Sequence, residues 1–440
     1  RRVLFDIKEE GLETIYLRHN RLARATRAAA KALGLQLVAP NAPADSSTGI
    51  FLPEEIDGGK LFKFIRDDMG VTLAGGQDQW KGKIVRIAHL GYIDSFDIII
   101  AISALEMALK KMGHNVVLGE GVADPKGIFG TTVGLYEKYG PSRIIETPVA
   151  ENGFTGIAIG SAMLGQRPVI IHQRVEFALL AMEQIVNNAA KTHYVSNGKH
   201  TVPLVIRLIV GRGWGQGPLH SQSLEAIFAH IPGLKVVMPS NPKNAKGLLI
   251  SSILDPDPVI FFEHRWLHNL VDNVPTKRYT TPIGEARIAR EGKDITIVAH
   301  SYMVLEALRC AKILEKYHIS VEVVDLRSIR PLDSIKILKS VSKTKRLIVA
   351  DNGWTHFGVS SEIISIVTES IFDKLVCKPV RIGMKDAPSP STRALANHYY
   401  PRANDMVTII SEMMDLKLEA LSTNETIPLD VPDPSFKGPF

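Results

Sequence analysis

Between residues 116 and 421, short runs of almost continuous apolar residues alternate with helical stretches, and no other feature restricts the possible folds as much. The runs are 167–171 (RPVII), 203–206 (PLVI), 234–238 (LKVVM), 295–298 (ITIV), 321–324 (VEVV) and 347–350 (LIVA). Strands that do not alternate polar with apolar must be covered on both faces, as in a parallel sheet held between layers of helices. The expected class is therefore α/β. A length of 440 residues predicts two to four domains. The expected boundaries are 1–115, 116–271, a polar linker at 272–282 (DNVPTKRYTTP), 283–421 and a tail at 422–440. The tail carries Pro428, Pro432, Pro434 and Pro439 with little apolar content, and reads as disordered or draped on a partner.

The first 115 residues are organised differently. Apolar and alanine spacing predicts a helix over Gly11–Leu33 stopped by Gly34, then a strand at Leu35–Val38 and a loop from Pro40 to Ser47. Gly58–Met69 reads as a helix, Gly70–Leu73 and Ile84–Ile87 as strands, and Ser95–Met112 as a helix capped by Asp94 or Ser95.

Composition excludes several functions. The net charge of +6 comes from 52 basic and 46 acidic residues, scattered and not interleaved with aromatics, which argues against a nucleic-acid footprint. No apolar run approaches the ~20 residues that span a bilayer, and the start lacks the apolar stretch of a signal peptide. The chain has no initiator methionine and so reads as a fragment. Cys310 and Cys377 are its two cysteines, which read as reduced thiols in a cytoplasmic protein rather than as a disulfide or zinc site.

Chemistry concentrates in a few blocks. Glu146–Gly156 (ETPVAENGFTG) enters as a strand, turns at Pro148, and places Glu151 before a glycine-spaced helix. That position is the carboxyl edge of a sheet, where open α/β folds bind ligands; on this block alone, a helix-capping role for Glu151 is the better reading. Gln173–Lys191 follows the next strand, and Phe177, Ala181, Ile185 and Ala189 share one helical face, as core residues would. Gly211–Pro218 is a glycine-rich loop that can bring backbone close to a ligand, and it leads to His220.

These blocks, with Leu118–Val122 before Gly127–Gly130, His230–Pro239, Asp255–Phe262, Asp325–Asp333 and Asp351–Trp354, resemble in order and spacing the beta subunits of thiamine-diphosphate-dependent pyruvate and branched-chain 2-oxoacid dehydrogenases. The resemblance implies a transketolase-type pyrimidine-binding domain followed by a transketolase C-terminal domain. It makes Glu151 the carboxylate set against a pyrimidine nitrogen, so that the cofactor's own amine can act as base. It makes Phe177 the aromatic wall on the pyrimidine, and His220 the group facing the reactive carbon. Glu120 joins an acidic proton path or is a structural acid. Asp255 and Asp257 flank a turn that often holds a structural monovalent cation such as potassium.

Two departures bear on substrate identity: Leu180 stands where pyruvate members usually carry glutamine, and Gln173 where they carry methionine. Both positions belong near the cofactor pocket. No Gly-Asp-Gly occurs in the chain, although magnesium diphosphate is held by such a motif with a downstream Asn. In two-chain members the alpha subunit carries it. The resemblance thus implies an assembly of two alpha and two beta chains, which decarboxylates a 2-oxoacid and passes the acyl group to a lipoyl acyltransferase component.

Residues 1–113 resemble the C-terminal domain of class V, serine–glyoxylate type aminotransferases, on Glu10–Glu13, Arg18–Ala23, Ala32–Leu35, Ala74–Gln77 and Lys83–Tyr92. The large domain with its Schiff-base lysine is missing, so no functional pyridoxal phosphate is expected. Arg86 matches a substrate-carboxylate arginine but reads as structural in this truncated setting. The stretch 104–120 fits the end of one family and the start of the other, which suggests a fusion in which one helix serves both. Three rivals stand beside this reading: a split transketolase or acyloin-type half, a non-catalytic interaction module, and a pyridoxal enzyme.

Overall fold

The computed structural model describes residues 2–54, 56–111, 115–212, 215–416 and 431–432. It divides into two compact units, Arg1–His114 with Leu164–Gln166, and Asn115–Met163 with Arg167–Phe440.

In the first unit, β1 (Ser47–Phe51), β2 (Ala74–Gly75) and β3 (Ile84–Ala88) form an antiparallel sheet in the order β1-β3-β2. The helices Leu12–Ala32, Gly58–Asp67 and Ser95–Lys111 close its core around Leu22, Leu61, Ile65, Val85 and Leu105. Asp94 is the cap of the last helix, its Oδ1 accepting from Phe96 N at 2.7 Å and Asp97 N at 3.1 Å. The strand expected at Leu35–Val38 shrinks to one bridge, Leu37 to Ile50. Val71–Leu73 is not a strand, and β1 stands where the loop was expected to end. Ile98, Ala101, Ala104, Leu105, Ala108 and Leu109 all belong to this core. The helix proposed to serve both families therefore gives its buried face to the first unit.

In the second unit the chain runs β4 (Asn115–Gly119), β5 (Ile144–Glu146), β6 (Arg167–His172), β7 (Val205–Val210), β8 (Lys235–Val237), β9 (Val259–His264), β10 (Arg287–Arg290), β11 (Ile295–Ala299), β12 (Val321–Asp325), β13 (Ser328–Arg330), β14 (Leu347–Trp354) and β15 (Val380–Met384). A seven-stranded sheet has the order β13-β8-β9-β7-β6-β4-β5, and a five-stranded sheet the order β10-β12-β11-β14-β15. Only β13 and β10 run antiparallel to their neighbours. The continuous apolar runs are buried on both faces, as in β7 and β11, where every residue is buried. A single apolar cluster continues from Ile170, Ile206 and Phe262 of the seven-stranded sheet, with Phe228 of the helix Glu225–Ala229, to Val298 and Val324 of the five-stranded sheet and Ile337 of the helix Ser334–Thr344. Each such side chain contributes about 1.5–3 kcal/mol of burial.

Strand β13 lies past the linker in sequence yet completes the first sheet, pairing with β8. The linker is fastened: Lys246 Nζ donates to the carbonyls of Pro275, Thr276 and Lys277. The expected tail lies outside the described residues except for Val431 and Pro432, whose carbonyls accept from Arg402 and Arg309. Cys310 and Cys377 are both free thiols. No helix among the described residues is long and apolar enough to cross a membrane.

Candidate active site

Strand β4 has β5 on one side and β6 on the other. The connection after β4 leads to β5 and the connection after β6 leads the other way to β7, so the carboxyl ends of β4 and β6 form a switch point, the crevice of this fold. In open α/β sheets this switch point is where ligands bind. Glu120 directly follows β4, Gln173 directly follows β6, and Glu151 begins the helix Glu151–Met163 that follows β5.

Glu151 is 7% exposed. Among the described residues its carboxylate has neither hydrogen bond nor ion pair, and it makes no side-chain cap of its own helix. A buried carboxylate without a partner is costly, and the helix N-terminus offsets only part of that cost. Glu120 faces it. Burial, then the charges of Glu151 and Glu146, hold the Glu120 carboxyl above the usual carboxylate range. Its Oε1 is buried without a partner. Glu146, which the sequence reading gave no role, accepts from Gly121 N at 2.5 Å and Ala123 N at 2.9 Å and so fixes the turn that carries Glu120. Gln173 Nε2 reaches the Glu120 carbonyl at 3.3 Å.

The rings of Phe177 and His220 meet edge to face with centroids 5.3 Å apart. The helical passage that starts at Val175 is not uniform: it runs through α, 3-10 and, at Gln184–Ala189, π geometry. Ala181, Ile185 and Ala189 are fully buried as their spacing predicted. Phe177 is only half-buried. Leu180 is 63% exposed, and its carbonyl accepts from the Asn152 amide, next to Glu151, at 3.4 Å.

The loop bearing His220 is gripped at both ends. Gly211 N donates to Gln222 O at 3.1 Å, Arg174 Nη1 donates to Gly211 O at 2.8 Å, and Gln222 N donates to Glu176 Oε1 at 2.7 Å. Burial pushes Arg174 down to about 10 and raises the Glu176 carboxyl against its backbone hydrogen bonds. Gly211 is required here: its φ is +81°, and a Cβ would come within 2.4 Å of the His264 ring. Gly213 and Trp214 lie outside the described residues. At the end of β6, burial pushes His172 down to about 3, so it is a neutral ring, 3.4 Å from Thr155 Oγ1.

Asp255 and Asp257 are not part of this crevice. They precede β9 and sit at the opposite edge of the sheet. Lys235 Nζ lies 2.6 Å from Asp255 Oδ1 and 3.3 Å from Asp257 Oδ2, and His193 Nδ1 lies 2.6 Å from Asp257 Oδ1. Both carboxylates are thus paired with the Lys235 ammonium. At the switch point the Glu151 carboxylate is free to accept a hydrogen bond from a ligand, with Glu120 beside it.

Residues 101–269 match the family described as transketolase, pyrimidine binding domain, and residues 284–406 match transketolase, C-terminal domain. The chain is 43% identical over 310 residues to the mitochondrial pyruvate dehydrogenase E1 component subunit beta of Drosophila melanogaster, covering 69% of this chain and 85% of the fly protein. It is 40% identical over 297 residues to the pyruvate dehydrogenase E1 component subunit beta of Rickettsia felis, covering 68% of this chain and 91% of that protein. Among solved structures, a split-gene transketolase, an inactive beta4 tetramer, matches with a TM-score of 0.57 at 24% identity, over 69% of this chain and 93% of its own. That last likeness concerns the fold alone.

Proposed function

This chain belongs to the pyruvate dehydrogenase E1 component beta-subunit family, and from that membership we propose that it is the beta half of a thiamine-diphosphate-dependent 2-oxoacid dehydrogenase, active with an alpha subunit. The observation that carries the reading is Glu151, buried at the switch point without a cationic partner. Glu151 would hold the pyrimidine end of the cofactor, with Phe177 as the wall of that pocket and Leu180 at its rim. Thiamine diphosphate, when bound, supplies the carbon nucleophile that attacks the 2-oxoacid carbonyl.

Glu151, 7% exposed, would accept a hydrogen bond from the pyrimidine ring. Glu120, neutral over a wider pH range than an ordinary glutamate, can share a proton with it. His220, oriented by the Phe177 edge, donates or receives a proton on the reacting side. The chain has no Gly-Asp-Gly, so magnesium and the diphosphate fall to the alpha subunit, in an assembly of two alpha and two beta chains that serves a lipoyl acyltransferase. A structural potassium near Asp255 and Asp257 would have to rely on ligands other than those two paired carboxylates. The domain boundaries follow the reading above, and the two free thiols support a cytoplasmic setting, although the fly relative is named as mitochondrial.

Co-expression with candidate alpha subunits, followed by assays with a set of 2-oxoacids and a lipoyl acceptor, tests the reading. Acyl transfer to the lipoyl group, abolished by Glu151→Gln, is the expected result; transfer to aldehyde acceptors alone would favour a split transketolase or acyloin-type half, and the Gln173 and Leu180 departures bear on which 2-oxoacid is used.

We infer that residues 1–113 derive from a class V aminotransferase C-terminal domain without pyridoxal function, fused near residues 104–120. In support, the resembling blocks touch one another: Arg18 pairs with Glu10 at 2.7 Å and donates to Gly91 O and Ile93 O, and Arg86 Nε donates to Gly75 O at 2.9 Å. Arg86 is thus engaged structurally.

A further inference from the structure

Two side chains that the chemistry above does not use hold the loop that carries His220. Arg174 and Glu176 stand where β6 gives way to the helix Val175–Ala178, just before Phe177. Arg174 is 1% exposed. Glu176 is half-buried, and that burial raises its carboxyl above the usual carboxylate range. Both meet the base of the loop at main-chain atoms. Gly211 and Gln222 close that base on each other, Gly211 N donating to Gln222 O at 3.1 Å. Arg174 Nη1 donates to the remaining acceptor, Gly211 O, at 2.8 Å, and Glu176 Oε1 accepts from the remaining donor, Gln222 N, at 2.7 Å. Every main-chain polar group of these two residues is thereby paired.

Arg174 also reaches into the loop, where its Nη2 donates to Gln216 Oε1, and its guanidinium lies over the Phe129 ring, 5.1 Å from the centroid. A planar fork bonded at two loop positions fixes an orientation as well as a distance. Residues 389–391 hold the same loop at other points: Arg212 Nη1 donates to Pro390 O at 2.7 Å, and Ser389 Oγ donates to Ser221 O at 3.3 Å. Such holding is needed. Gly211, Gly215 and Gly217 all have positive φ, and glycine loses more freedom than any other residue when its conformation is fixed. His220 sits within this frame, two residues before the Glu176 bond.

We propose that Arg174 and Glu176 are positioning residues, which keep the His220 ring in its place against Phe177 by bonding Gly211 O, Gln216 and Gln222 N. The inference rests on the role of His220 proposed above. Both side chains act through the loop, so they govern the rate of the chemical step and not the affinity for the cofactor. Displacing a proton-transfer group by about 1 Å costs on the order of 100-fold in rate.

The test uses the reconstituted alpha–beta pair with Glu176→Ala, Glu176→Gln or Arg174→Lys in this chain. Glu176→Ala removes the acceptor of Gln222 N, whereas Glu176→Gln keeps an oxygen there and resembles the neutral acid that burial favours. Arg174→Lys keeps the charge and loses the fork, and it carries the prediction if Glu176→Ala does not fold. In Glu176→Ala and Arg174→Lys kcat should fall by at least about ten-fold, with KM for the 2-oxoacid and affinity for thiamine diphosphate within roughly two-fold of wild type. Glu176→Gln should recover most of the rate. Hydrogen exchange read by mass spectrometry is independent of turnover: amides of 211–222 should exchange at least about ten-fold faster in Glu176→Ala, with β6 and β7 unchanged. Unchanged exchange in that variant, a loosened loop with kcat intact, a loss that appears in KM instead of kcat, or a Glu176→Gln rate as low as that of Glu176→Ala would each overturn the proposal. A wild-type pair without turnover on any 2-oxoacid would instead overturn the role given to His220, while the exchange rates alone decide whether the two side chains hold the loop.

Discussion

The two sheets of the larger unit both end their strands on acids and imidazoles, but they treat those groups in opposite ways. At the carboxyl edge of the seven-stranded sheet, Glu120 and Glu151 face each other with no cation between them, and His220 touches only a phenyl ring among aromatic partners. At the edge of the five-stranded sheet, His300 after β11 sits 3.3 Å from Glu225 and 3.7 Å from Asp351, all three buried. Asp351 also accepts from Gly353 N at 3.1 Å and Ser360 N at 2.8 Å. One geometry, the open end of a parallel sheet, thus yields a crevice where charge is left uncompensated and a latch where it is compensated. The first arrangement costs stability and offers binding; the second joins Glu225 of the pyrimidine-type region to the five-stranded sheet.

Experiments that break this contrast follow from the free energies involved. The largest effect belongs to Glu151→Gln. Activity with an alpha subunit should fall by about 100- to 10,000-fold, the range for a lost acid–base group. The melting temperature should not fall and should rise slightly, because no internal partner is left unpaired and an uncompensated buried carboxylate is removed. The comparison breaks if the variant melts early and keeps its rate.

His300→Ala should behave in the reverse sense. It leaves two buried carboxylates without their cation, at a cost of about 3–5 kcal/mol measured by urea unfolding. The pH dependence sharpens this point. Burial opposes the charge on His300, but the Glu225 hydrogen bond and the charges of Asp351, Glu225 and Asp325 outweigh it and raise its pKa above 6.5. The latch therefore contributes fully below pH 6.5, and its contribution drains away as pH rises through the raised folded value. Wild type should lose urea resistance over that window, and His300→Ala should not.

Next in size is Glu120→Gln. Its carboxyl is raised by burial first and by the charges of Glu151 and Glu146 after it. A raised acid is stabilising only while protonated, so the wild-type chain loses stability as pH climbs from the ordinary glutamate range to the folded value. The amide variant should melt slightly higher than wild type at neutral pH, and the gain should vanish on acidification. The smallest effect is expected at the opposite edge of the sheet. Asp255→Asn weakens a partly exposed pair with Lys235 and should cost about 1 kcal/mol or less, with unchanged turnover.

What the sequence made legible follows the same physics. Strands such as Val205–Val210 and Ile295–Ala299 could be read because burial on both faces writes itself as a continuous apolar run. Strand β1 could not, since Ser47–Phe51 alternates burial in a small antiparallel sheet and follows a polar loop. Phe177 had core periodicity, but the helical passage changes from α through 3-10 to π geometry, and Phe177 is only half-buried while Ala181 and Ile185 stay buried. Glu146, Arg174 and Glu176 escaped a role for another reason. Their partners are backbone groups of loops far away in sequence, Gly121, Gly211 and Gln222, and no local pattern announces such bonds.

The most direct measurement is calorimetric titration of magnesium thiamine diphosphate into this chain alone, into the alpha–beta pair, and into the pair carrying Glu151→Gln. The account requires heat of binding from the wild-type pair, none from the isolated chain, and a markedly weaker affinity in the variant. Equal affinity of the isolated chain and the pair, or a variant pair that binds and turns over like wild type, would contradict it.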